Sequence, residues 1–293
     1  MRKLITLAAL VTLVTLAALW WTGGFAALAQ WAAGQQRGFQ NSIAGGLRAT
    51  RGGDMAAFWT VLLASFAYGV VHAAGPGHGK IVIGGYGLAR QVPMLRLSLI
   101  ALAASLGQAV TAVALVYAGI MLLGLGREAL VGVTESIMAP VSYAAIALIG
   151  LWLIWRGLRH ARRTSTAGPD AVCGHCGHAH GPSIEAVQQA GNLRDALLLI
   201  GGIAMRPCTG ALFVLVITWH MGIGGVGVLG AFAMALGTGL VTIATGLAAT
   251  GLRAGLLGGF SGSPRLAQAA ALAELTAGMT VVVLASGLLL RAL

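Results

Sequence analysis

Uncharged apolar stretches of about twenty residues recur along the whole of this chain, and that is the length an α-helix needs to cross a bilayer core of about 30 Å. Seven can be marked, roughly Leu4–Trp21, Met55–Ala74, Leu97–Leu125, Ile137–Trp155, Ala196–Trp219, Val226–Leu247 and Leu266–Leu290. With 58% of its residues hydrophobic and 9% charged, a 293-residue chain cannot assemble the mixed surface of a soluble domain. The expected fold is therefore all-α, a polytopic membrane helical bundle with the lipid bilayer as its main solvent.

A formal charge of +11 could point to nucleic acid, but the basic residues are scattered through short loops between spans instead of forming one patch. They read as topology determinants. If Arg2 and Lys3 are cytoplasmic, seven crossings put twelve basic residues inside: Arg2, Lys3, Lys80, Arg90, Arg96, Arg156, Arg159, Arg162, Arg163, Arg194, Arg253 and Arg265. Outside fall Arg37, Arg48, Arg51, Arg127 and Arg291, so the bias favours a cytoplasmic amino terminus and an external carboxyl terminus.

The first run also resembles a secretory signal, with Ala27-Leu28-Ala29 imitating a cleavage site. Its apolar core is longer than a usual signal core, which favours a retained anchor; cleavage would leave six spans in the same orientation. Residues Gln30 to Asp54 then lie outside, as an interfacial helix with Phe39, Ile43 and Leu47 on one face. The organisation that follows is a signal-anchor and extracytoplasmic segment (1–54), a first three-helix membrane unit (55–159), a cytoplasmic loop (160–193) and a second three-helix unit (194–293).

Two of the apolar runs are interrupted. An unbroken helix from Met55 to Ala89 would be about 50 Å long at 1.5 Å per residue, too long for the bilayer core. Gly75-Pro76-Gly77 sits at the joint, so a broken helix or a short re-entrant turn is expected there. The second break is Arg206-Pro207-Cys208-Thr209-Gly210. Freed carbonyls at such depth are tolerated only against protein or a polar cavity.

Both breaks share the form Pro-x-x-Gly, Pro76 to Gly79 and Pro207 to Gly210, and each opens a group of three helices. The assigned topology gives the two groups opposite orientation, the arrangement of an inverted-repeat transporter with its site at the repeat interface. Superposing Pro76 on Pro207 brings Gln108 onto Gly239, beside Thr238.

Around the first break stand His72, His78 and Lys80, and Ser65, Tyr68 and His72 follow at steps of three and four residues, a polar stripe on one helix face. Histidines satisfied by carbonyls in helix packing are the bland alternative. Two of them beside a broken intramembrane helix favour ligand function, because polar groups at that depth are expensive and mark pathways. Cys208 is the matching soft donor at the second break, with a small buried residue as its other reading. Arg206 requires a partner, and Glu274 in the last span is the expected membrane carboxylate, either paired with Arg206 or carrying protons.

The long loop holds Cys173, His175, Cys176, His178 and His180, five nitrogen or sulfur donors within eight residues. Such density, with a Cys-x-x-Cys pair, is a strong local metal signal, and it reads as a device for capturing and delivering an ion. Imidazole and thiolate suit nickel, cobalt, zinc, copper and cadmium, whereas magnesium and calcium prefer oxygen clusters. The partner is thus a divalent transition-metal ion, moved as cargo, with no tightly bound cofactor; a homo-oligomer is compatible with the pattern.

In the string from Ser65 to Lys80, in Arg206-Pro207-Cys208-Thr209-Gly210-Ala211-Leu212, and in the histidine-bearing loop between them, the chain resembles the nickel/cobalt efflux transporter family of bacterial inner membranes. The likeness spans essentially everything after Met55. It implies export of Ni²⁺ or Co²⁺ from the cytoplasm, with His72, His78 and the loop handling metal. The residues themselves also admit an uptake permease. A membrane thiol-disulfide relay would need two facing membrane cysteines, and the spans hold only Cys208. No nucleophile, base and orienting group occur together, so an enzyme is not expected.

Overall fold

The computed structural model describes residues 21–75, 78–90, 92–166, 193–258 and 266–293. In chain order its elements are α1 (Gly24–Arg51), α2 (Met55–Ala74), α3 (His78–Ala89), α4 (Met94–Leu123), α5 (Arg127–Val133), a π-helical turn (Thr134–Met138), α6 (Ala139–Thr166), α7 (Leu193–Ala204), α8 (Thr209–His220), α9 (Gly224–Gly258) and α10 (Leu266–Ala292). Among the described residues, five helical stretches are long and apolar enough to span a membrane, and α7 with α8, bent by 60° at their joint, makes a sixth if the pair is one span. The protein is an all-α membrane bundle. The expected first span lies, except for Trp21, outside the described residues, as do Pro76 and the Cys173–His180 cluster.

Its polarity is that of a membrane protein. Leu99, Leu122, Leu148, Leu229, Leu240, Leu272 and Val283 are exposed on the outside of the bundle, where acyl chains rather than water accept them. Among the described residues, the two largest apolar clusters lie inside. Ile43 and Leu47 of α1 join Val61 and Tyr68 of α2, Leu212 and Leu215 of α8, and Met234 of α9. The other gathers Ile83 and Tyr86 of α3, Leu97 of α4, Ile146 of α6, Leu199 and Ile203 of α7, and Val281 of α10.

The hairpin of α1 and α2 follows from local chemistry. Gly53 takes φ +93°, a left-handed conformation that a side chain would resist. Asp54 then caps α2, its carboxylate accepting from the Ala56 and Ala57 amides at 2.8 and 3.2 Å. Helix α1 does carry Ile43 and Leu47 on one face, but the expected lipid-facing placement of that face is incorrect. Both residues are fully buried, because Val61 and α8 offer a packed protein surface to cover them.

The broken helices pack across onto the middle helix of the other unit, α2 and α3 on α9 and α7 on α4, while α8 packs chiefly on α9 of its own unit and less on α4. Where α2 crosses α9, Gly69 and Gly237 let the two backbones touch, since a Cβ on Gly69 would collide with the Met234 carbonyl and one on Gly237 with the Phe66 carbonyl. Close approach through small residues is how apolar helices associate where no hydrophobic effect drives them together.

Charged groups also bridge the units. Arg90, after α3, pairs with Asp195 of α7 at 2.9 Å, and Arg156 of α6 faces Glu274 of α10 at 3.6 Å. Arg253 of α9 donates to the Leu88 carbonyl at 2.9 Å. The Trp152 ring stands 5.7 Å from both the Arg90 and the Arg156 guanidinium, a double cation–π contact. The expected Arg206–Glu274 pair is therefore corrected. Glu274 is held by Arg156, and the π-helical turn ahead of α6 puts Glu135 in place to receive Arg206, at 3.0 Å.

Candidate metal site

Both helix breaks open onto a single cavity of about 260 Å³, lined by His72, Ala73, Gly79 and Lys80 from the first, by Ile203, Arg206, Pro207, Cys208 and Thr209 from the second, and by Gln108, Thr238 and Thr242 from the middle helices. Such convergence requires the backbone polar groups freed at each break to find partners. Several of the described ones do. Lys80 Nζ donates to the Gly75 carbonyl at the first. At the second, the Gln108 amide donates to the carbonyls of Ile203 (3.2 Å) and Arg206 (3.3 Å), reaching across from the other unit. Thr238 Oγ1 returns the gesture by donating to the Gly69 carbonyl of α2 at 3.4 Å.

The described side chains on this cavity whose chemistry suits a soft metal ion are His72 and Cys208. The imidazole and the thiol are neighbours across it, and Cys208 is the residue that caps α8 at its amino end. His72 is further fixed by stacking on Tyr68, with ring centroids 5.8 Å apart and planes 9° from parallel, and by a 3.2 Å contact between its Nδ1 and Gln36 Oε1. Among the described residues no third His, Cys, Asp or Glu joins the pair.

Arg206 leaves its charge elsewhere. Its guanidinium donates to the Tyr143 hydroxyl and to both Glu135 oxygens, at 3.0 and 3.3 Å, and lies over the Tyr143 ring. Among the described residues, no carboxylate lines the cavity.

Residues 58–172 match the family described as NicO, high-affinity nickel-transport protein. A protein of Haemophilus influenzae named "Putative nickel/cobalt efflux system" is 30% identical over 239 residues, covering 74% of this chain and 72% of the relative. The chain belongs to the NicO nickel-transport family. No solved structure matches it. This NicO protein is thus a multi-pass membrane protein of a metal-transport family, and the cavity is its natural candidate for the ion's route.

Of the residues expected from sequence, His72, Lys80, Gln108, Arg206, Pro207, Cys208 and Thr209 meet at the cavity. Three others do not line it. Tyr68 turns its ring into the core, against Gly210 and His72; Ser65 is fully buried with no hydrogen-bond partner for its hydroxyl; and Glu274 faces Arg156. His78 begins α3, and its side chain lies outside the described residues. Sequence reasoning missed Gln36, Gln40 and Glu135. The first two had a visible signal: they fall within the stripe of α1 that also carries Ala32, Ile43 and Leu47, where apolar residues are otherwise the rule.

Proposed function

We propose that this NicO protein exports Ni²⁺ or Co²⁺ from the cytoplasm across the bacterial inner membrane, passing the ion through the cavity between its two broken helices. The observation that carries the reading is the meeting of His72 and Cys208, from different breaks in different units, on one cavity. Two soft donors without a carboxylate favour a borderline transition-metal ion over magnesium or calcium. An incomplete donor set also suits a carrier, which must release what it binds.

The export direction is supported by the name of the Haemophilus relative and by the Cys173–His180 cluster, which the basic-residue bias puts on the cytoplasmic side with the amino terminus. In this reading the loop gathers the ion and the membrane units move it, as inverted repeats rocking about a central site. The reciprocal packing of α2 on α9 and α7 on α4 supports that motion. No nucleotide-binding loop occurs in the sequence, so export against a gradient draws on a coupled ion or a partner ATPase, and we adopt coupling to protons as the reading. Everted membrane vesicles test the whole reading. Energised vesicles should accumulate radioactive nickel or cobalt; accumulation in right-side-out vesicles instead would make the protein an uptake permease.

A further inference from the structure

Helix α1 precedes both three-helix units, yet two of its glutamines, one turn apart, stand behind His72 and the Tyr68 ring it stacks on. Gln36 meets His72 Nδ1 at 3.2 Å, and Gln40 is a neighbour of Tyr68, the ring on which His72 stacks. The two helices run antiparallel in constant register, since the same alignment sets Gly46 against Val61, with a Cβ at 46 only 2.8 Å from the valine side chain. Gln36 and Gln40 therefore face residues that are themselves one turn apart on α2.

A neutral imidazole has one protonated nitrogen and one bearing an electron pair, and the partner of the first decides which nitrogen can bind a metal. We propose that Gln36 is a positioning residue of the metal site: its Oε1 accepts the Nδ1 proton of His72 and so leaves the Nε2 electron pair for the ion. This rests on the reading of the cavity as the ion's site. Histidine ligands in metal centres are held this way, their second nitrogen donating to a carbonyl or carboxylate that fixes ring and tautomer. Packing alone does not call for an amide here. The neighbours of Gln36 along the α1 stripe, Ala32, Ile43 and Leu47, are buried apolar residues, and leucine or methionine would fill the position with no polar group to satisfy.

The test uses the full-length chain in lipid nanodiscs with Co²⁺ as the probe, on a background, taken below as wild type, in which the loop donors Cys173, His175, Cys176, His178 and His180 are replaced by serine or alanine so that the loop cannot bind the probe. Wild-type protein should show a thiolate-to-cobalt charge-transfer band from Cys208 and, when labelled with ¹⁵N-histidine and free of metal, His72 protonated on Nδ1. Gln36→Leu and Gln36→Met should each weaken Co²⁺ binding about 10- to 100-fold and shift His72 toward the Nε2–H form. Gln36→Glu, which can still accept, should keep wild-type affinity and tautomer. Two glutamine replacements of different shape guard against a single misfolded variant. If His72→Ala loses affinity while Gln36→Leu and Gln36→Met bind as wild type or more tightly, the positioning role is overturned and the metal site stands. If His72→Ala binds cobalt as well as wild type, the cavity reading fails and the role of Gln36 fails with it.

Discussion

Arg90 and Asp195 form a 2.9 Å ion pair that ties the end of α3 to the first turn of α7, with both residues at the helix ends away from the breaks. Their side chains are 9% and 14% exposed, so neither charge is well solvated if its partner is removed. Breaking a buried pair by deleting one member costs about 3–5 kcal/mol. Asp195→Ala and Arg90→Ala should each lower the unfolding temperature in nanodiscs, and the double variant should be less destabilised than the sum. Strictly additive effects would show that the contact holds nothing together.

At the cavity, His72→Ala and Cys208→Ala should each reduce nickel or cobalt flux in proteoliposomes by at least about tenfold, the scale of losing roughly 1.4 kcal/mol of ligation. Both proteins should remain folded, since each change removes a donor facing a cavity rather than a core side chain. Wild-type flux in both variants, at equal protein, would defeat the site.

The α2–α9 crossing gives a stability prediction with an internal control. Gly69→Ala places a Cβ against the Met234 carbonyl, which cannot swing aside, and should destabilise the fold by about 1–3 kcal/mol. Gly45, in the middle of α1, has nothing within 4 Å of the corresponding Cβ, so Gly45→Ala should be harmless or stabilise by about 0.5–1 kcal/mol. Denaturation in detergent reads both, and equal effects would refute the close-approach argument.

Removal of Cys173 to His180 should lower the apparent affinity for the ion while leaving maximal flux largely intact, because the cluster is proposed to gather metal and not to conduct it. Flux measured against metal concentration separates the two parameters. Abolished transport in a well-folded deletion would place the loop in the core mechanism.

Proton coupling has its own test. Glu274 faces Arg156 at 3.6 Å and not the cavity, so a proton role there acts by loosening the bond between α6 and α10. Glu274→Gln proteoliposomes should lose their response to an imposed pH gradient. An undiminished response would rule the residue out as carrier.

How much of this could be read from the sequence depended on whether the signal was local. The bounds Met55 and Ala74 were legible because a break at Gly75-Pro76-Gly77 and an Asp cap are written in adjacent residues. The repeated Pro-x-x-Gly form was visible in the sequence, and described residues flanking both copies line one cavity. Partners were not: Arg206 finds Glu135 through a π-helical turn, and no periodicity announces where such a turn will aim a side chain. Helix α1 was misplaced because an amphipathic stripe covered by lipid and one covered by protein have the same sequence pattern.

The hairpin that joins Gln36 to His72 gives the site an order of assembly. α1 and α2 leave the ribosome together, separated by only a two-glycine turn and Asp54, so imidazole and amide can meet as soon as the second helix is made. Cys208 arrives only after α3 to α7 have been synthesised. A chain made only through α2 holds the histidine and its amide partner but no sulfur to share an ion with, and the cavity is complete only with the second broken helix in place.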